Sequence, residues 1–195
     1  MKLPTLAILL ASLAATHADE LGYTIHDILT ASSPTPSRSK QWKPGTGIPL
    51  EIGGMDWTAD GRLAVALRKG DVWLLDNVLG GDPDKITYHR FASGLHEPLG
   101  LLRDGDDLLV TQRTELTRLR DTDGDSVADA YLTESSGWNV SGSYHGYAYG
   151  PRRDGRGNLW LALNLDMGDH SNNAIGFRGW AGTAAADGTF TPAAA

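Results

Sequence analysis

Four aspartates within nine residues form the densest set of potential ligands in the chain. Asp121, Asp123, Asp125 and Asp129 lie in the segment DTDGDSVAD, with Gly124 between them as a residue that lets the backbone coil. Carboxylates at this spacing suit a hard cation with a flexible oxygen shell, which points to calcium. The loop is not a complete EF-hand. Ser126 stands at the sixth position in place of glycine, and Leu132 stands at the twelfth in place of a bidentate glutamate. Four carboxylates this close repel one another unless a cation or solvent screens them. The loop therefore reads as a calcium site that staples a turn, with an unliganded, solvated Asp/Gly turn as the alternative.

The elements that would position this loop are strands. The sequence holds 24 glycines and 6 tryptophans, with short apolar runs between turn dipeptides, the pattern of a many-stranded β protein. Asp-Gly dipeptides at 60, 104 and 154 fall 44 and 50 residues apart, the length of a four-stranded propeller blade. In the first unit, Gly54–Trp57, Arg62–Leu67, Asp71–Asp76 and Ile86–Phe91 read as strands. In the second, the strands are Pro98–Leu102, Leu108–Thr111, Leu116–Asp121 and Ala130–Glu134. The third begins with Tyr147–Gly150 and Asn158–Leu163. The expected fold is all-β, a partial β-propeller of about three blades over residues 48–195. An ordinary meander or sandwich is the competing architecture.

The remaining segments do other work. Met1–Ala18 has a positive start at Lys2, an apolar run over Leu6–Ala15 and small residues around His17, so residues 1–18 read as a secretory signal with a mature N-terminus at Asp19. The apolar run is too short to span a bilayer, and no transmembrane helix is expected in the mature chain. Residues 19–47 form a lead-in, of which Ala31–Gly47 is rich in Ser, Pro, Thr and Lys. A secreted or periplasmic location is expected. With no cysteine, the chain can hold neither a disulfide nor a Cys-ligated metal. The net charge of −7 argues against nucleic acid as a partner. Three blades would leave exposed edges, so the chain reads as truncated, with further blades or a fused domain expected.

Other motifs are weaker. His96-Glu97 opens like a metalloprotease HExxH, but Pro98 breaks the helix and Gly100 occupies the second histidine's place. Asp166, Asp169, His170 and Asn172 form a polar stretch that could line a propeller mouth, and Asn139-Val140-Ser141 matches a glycosylation acceptor. No phosphate-binding glycine loop or serine nucleophile elbow is present.

Four strings together carry a family resemblance: ASGLHEPLGL at 92–101, VTQRTELTRLRDTDGD at 110–125, YHGYAYG at 144–150 and GFRGW at 176–180. Over Ile52–Trp180 the chain resembles the secreted propeller proteins related to soluble glucose and sorbosone dehydrogenases, including the "putative membrane-bound dehydrogenases" of planctomycete and verrucomicrobial bacteria. The resemblance implies a six-bladed propeller of which this chain holds the first blades. It also implies a histidine acting as general base on a sugar hydroxyl while hydride passes to pyrroloquinoline quinone. The matching position is His145, and an imidazole titrating near neutrality suits that task. Arg178 could pair with an anionic cofactor or substrate, or anchor a strand turn. Carrying the Asp loop over as the cofactor's calcium site is not justified. Three functions follow as expectations: a quinone-dependent oxidoreductase acting on a sugar or related alcohol, a non-catalytic calcium-stabilised propeller that binds carbohydrate or protein, and a calcium-dependent hydrolase of the lactonase kind. Fold alone does not choose among them.

Overall fold

Twelve strands in three antiparallel sheets organise the computed structural model, which describes residues 27–28, 51–140, 142–165 and 176–194. The first sheet holds β1 (Ile52–Trp57), β2 (Leu63–Leu67), β3 (Asp71–Asp76) and β4 (Thr87–Ala92). The second holds β5 (Leu101–Asp104), β6 (Asp107–Thr111), β7 (Leu116–Arg120) and β8 (Ala130–Ser135). The third holds β9 (Ala148–Arg153), β10 (Leu159–Leu163), β11 (Ala181–Ala184) and β12 (Phe190–Ala194). Each sheet pairs its strands in sequence order, so each is one blade, and the architecture is a partial β-propeller. The signal segment 1–18 lies outside the described residues, as does the lead-in 19–47 apart from Asp27 and Ile28.

β2 and β6 are almost wholly buried, with side chains packed on both faces of their sheets. On β2, Ala64 and Ala66 join the core shared with the second blade, which includes Leu101, Leu108 and Val110, while Val65 and Leu67 turn to the opposite face. On β6 the alternation repeats. Leu108 and Val110 face the first blade, and Leu109 joins Trp138, Leu161, Leu163 and Phe190 in the core shared with the third. On β10, Leu159, Leu161 and Leu163 are buried and Trp160 is exposed.

The innermost strands meet backbone to backbone. A Cβ added at Gly54 would lie 2.5 Å from Leu101 N, and one at Gly100 only 1.4 Å from the carbonyl oxygen of Gly150. No side chain fits at these positions, so glycine is what brings successive blades to this separation.

Two details depart from the sequence reading. The strand expected from Pro98 begins at Leu101, since Pro98 has no N–H to donate and Gly100 is pressed against Gly150. The Asp-Gly turn at 154 is also out of phase with that at 60. The recurring device is a five-residue turn closed by paired backbone bonds, at Thr58–Arg62, Asp154–Asn158 and Ala185–Thr189. Its fourth residue has positive φ, and the glycines there are Gly61, Gly157 and Gly188 at 85°, 92° and 85°. Gly155 is a different position, with open space around it. β11 was not anticipated because AGTA carries no apolar alternation. Gly182 is required there because a Cβ would strike the Phe190 ring.

Strand order divides the connections between two ends. The first-to-second and third-to-fourth turns of every blade leave at a lower end, while the second-to-third turns and the blade-to-blade connections leave at an upper end.

Gly100→Ala is expected to destabilise the chain by roughly 3 kcal/mol through backbone overpacking, whereas Gly155→Ala is expected to stay within about 0.5 kcal/mol. Urea unfolding of the two variants checks this, and equal losses would contradict the assignment of the close contact.

Candidate functional site

The sequence-derived residues separate between the two ends. The Asp loop joins β7 to β8 at the lower end, and His145 and Arg178 lie in upper-end connections. A cation in the Asp loop therefore cannot hold the His145 loops in shape by direct contact.

At the lower end, ligand atoms of Asp121, Asp123 and Asp129 lie within 4.8 Å of one another. That spread equals about twice a calcium–oxygen distance of roughly 2.4 Å, so three carboxylates fit around one such ion. Asp125 is outside this group. One of its oxygens accepts from Val127 N at 2.8 Å. Asp121 Oδ1 accepts from Gly124 N at 2.7 Å and Oδ2 from Ser126 N at 2.8 Å. Its modest burial works against the charge, but the N–H groups of Ser126 and Gly124 outweigh this and hold the carboxyl below its ordinary value. Asp129 is also held low, by the N–H and hydroxyl of Thr122, which donate at 2.7 and 2.8 Å. The loop is tied to the first blade through Arg62 Nη1, which donates to Ser126 Oγ at 3.0 Å, and through Ala128 N, which donates to Phe91 O at 2.8 Å. A cleft of about 200 Å³ opens beside it between the first two blades, lined by Thr58, Asp60, Arg62, Phe91, Asp106 and Asp121 among others.

At the upper end, His145 sits in the connection that leads into the inner strand β9. It is half-buried, and its ring lies against Tyr144, with centroids 3.7 Å apart and planes tilted by 42°. Tyr144 is 72% exposed. The His145 carbonyl accepts from Asn164 Nδ2 at 2.9 Å, and Asn164 N donates to Tyr147 O at 2.9 Å.

Arg178 is 5% exposed and donates through Nη1 to Tyr147 O at 3.0 Å and through Nη2 to Asn139 O at 2.9 Å. Its guanidinium is engaged by backbone carbonyls, the geometry of a turn anchor. Nothing among the described residues is assigned to the quinone cofactor.

Glu97, the residue that makes His96-Glu97 resemble a metal motif, belongs to an ion-pair network. Its carboxylate meets Arg68 at 3.0 Å and Arg113 at 2.8 Å. Burial opposes its charge, and the Arg113 guanidinium, followed by Arg68, more than offsets this and holds Glu97 below its usual range. These partners are 16 and 29 positions away, so no local pattern marks them in the sequence. Asn139 is exposed, while Ser141 of the sequon and the polar residues Asp166, Asp169, His170 and Asn172 lie outside the described residues. No helix of the described residues is long and apolar enough to cross a membrane.

No protein-family model matches the chain, and no curated protein matches it. Among solved structures, it is similar to selenomethionine-substituted virginiamycin B lyase from Staphylococcus aureus, at 12% identity and a TM-score of 0.45. The similarity covers 77% of this chain and 43% of that one, so this chain spans less than half of that structure's length. The propeller assignment rests on sheet order and packing.

Because Glu97 is held below its ordinary value, its ion pairs contribute fully above the unfolded glutamate value of about 4.3 and are lost as pH falls through the lower folded value. Calorimetry from pH 6 to pH 2.5 should show Glu97→Gln with a lower Tm at pH 6 and a flatter acid limb than the parent. An unchanged acid limb would remove Glu97 from that transition.

Proposed function

We propose that this chain is part of an exported propeller oxidoreductase whose upper end receives a sugar or related alcohol, with His145 as the base that takes the hydroxyl proton. The observation that carries this reading is the placement of His145: half-buried at the mouth of an inner strand, its carbonyl held by Asn164 and its ring beside the exposed Tyr144. A fixed imidazole next to an aromatic face suits a pyranose, which stacks one apolar face and presents hydroxyls at its rim. Pyrroloquinoline quinone would supply the hydride acceptor when bound. The chain's own contribution is to seat the alcohol against Tyr144 and remove its proton at His145. Arg178 serves this site by holding the carbonyls of Asn139 and Tyr147.

A second reading, glycan recognition without turnover, is favoured by the same Tyr144 face and by the engagement of Arg178 with backbone. Calcium is proposed for the lower end only, in a structural role through Asp121, Asp123 and Asp129.

Two experiments test these assignments. His145→Ala in the full-length secreted protein, supplied with quinone, is expected to lower dye-linked oxidation of the preferred sugar at least a hundredfold, in line with the roughly 10²–10⁴ contributed by a general base. Saturable glycan binding with no turnover in the parent would favour the recognition module instead. Calcium is expected to raise Tm in the parent and to have no effect in Asp123→Asn, while leaving glycan affinity unchanged in both. An equal Tm rise in the variant would move the cation elsewhere.

A further inference from the structure

Two peptide planes flank the Cα of His145, and each is held by a different side chain. The plane before it carries the Tyr144 carbonyl, which accepts from Arg113 Nη1 at 3.3 Å. The plane after it carries the His145 carbonyl, which accepts from Asn164 Nδ2 at 2.9 Å and from Tyr147 N at 2.7 Å. Arg113 Nη2 also donates to the Ser143 carbonyl one residue earlier. With both planes fixed, the direction of the His145 Cα–Cβ bond is fixed, and the Tyr144 ring limits the torsions that remain.

We infer that Arg113 is the positioning residue of the His145 site, acting with Asn164 and held in place by Glu97. This rests on the reading of His145 as the proton-accepting group. Arg113 acts through the backbone, at the carbonyls of Ser143 and Tyr144.

Three features make Arg113 suited to the task. It is 8% exposed, and its guanidinium presents several donors in one rigid fork, so it can serve Ser143, Tyr144 and Glu97 together. Its charge is balanced by a carboxylate from the first blade-to-blade connection, and its Cζ lies 6.0 Å from the centroid of the Tyr147 ring. Its own backbone is pinned as well, because Arg113 N donates to His96 O at 2.9 Å and the buried Trp138 indole donates to Arg113 O at 3.2 Å. The orientation of the imidazole is thereby set from the first blade, through Glu97 and Arg113, to the mouth of the third.

Arg113→Lys is the informative variant. It keeps a positive charge but replaces the fork with a point charge, which cannot hold both carbonyls and the carboxylate in this geometry. The test is nuclear magnetic resonance of the imidazole protons in the full chain, with the His145 signal identified by its loss in His145→Gln. In the parent, the neighbouring Tyr144 ring displaces the His145 signals by its ring current. In Arg113→Lys, these signals should move more than half-way towards those of a free imidazole, while methyl signals of Leu74 and Val110 in the first two blades stay in place. Glu97→Gln should shift the His145 signals in the same direction by less, and it carries the test should the lysine variant not fold. Unmoved His145 signals in the variants that fold would overturn the inference. Its functional arm is a fall in kcat with KM little changed. Displaced His145 signals together with a His145→Ala variant that retains full turnover would keep Arg113 as the positioning residue and overturn the proton-transfer reading.

Discussion

Backbone contact between the innermost strands governs everything built around it. Gly54 lies against Gly100 and Leu101, and Gly100 lies against Gly150, so three successive blades touch at points where no side chain fits. The separation so imposed sets how deep the cores between blades can be. In the core between the first two blades, Ala64, Ala66, Val72, Leu74 and Phe91 of the first meet Leu101, Leu108, Val110 and Leu119 of the second. The alanines of β2 leave room for these larger side chains to interdigitate at native packing density. A larger residue at one of these glycines would act on both flanking cores at once.

Charges reinforce the same joints. Arg118 on β7 reaches Asp104, Asp107 and Glu134, tying all four strands of the second blade together, and Arg153 of the third blade returns to Asp104 at 2.7 Å. Asp107 is 8% exposed and held below its ordinary value, chiefly by the Arg120 guanidinium, which outweighs its desolvation, with Arg118 adding to the effect. At the upper end, Glu97 bridges Arg68 and Arg113 in a comparable way. Both networks sit where one blade meets the next, and both are partly screened from water, where ion pairs keep more of their strength than on an open surface.

Much of the fold was legible in the sequence because the signals are local. Strands β2, β3, β6 and β10 announce themselves as largely apolar runs between turn residues. What escaped was set by contact at a distance. The Asp-Gly pair at 154 looks like the one at 60, yet it is Gly157 that takes the positive φ. AGTA is a strand because it pairs with β10 on one side and β12 on the other, with Phe190 lying over Gly182. The same division holds for the candidate site. The Asp cluster is visible as a spacing, although Asp125 turns out to cap its own loop. Arg113 reads as a turn residue, and only the folded chain brings it to Glu97, Ser143 and Tyr144.

The separation of the Asp loop from His145 also has an electrostatic meaning. A strand such as β6, five residues long, spans about 17 Å at roughly 3.3 Å per residue. The aspartates Asp123 and Asp129 are exposed, and at physiological salt the field of an exposed ion decays with a length of about 8 Å. A divalent ion gained or lost at one rim would therefore be nearly invisible to an imidazole at the other. The sheets between the two ends transmit shape but little charge.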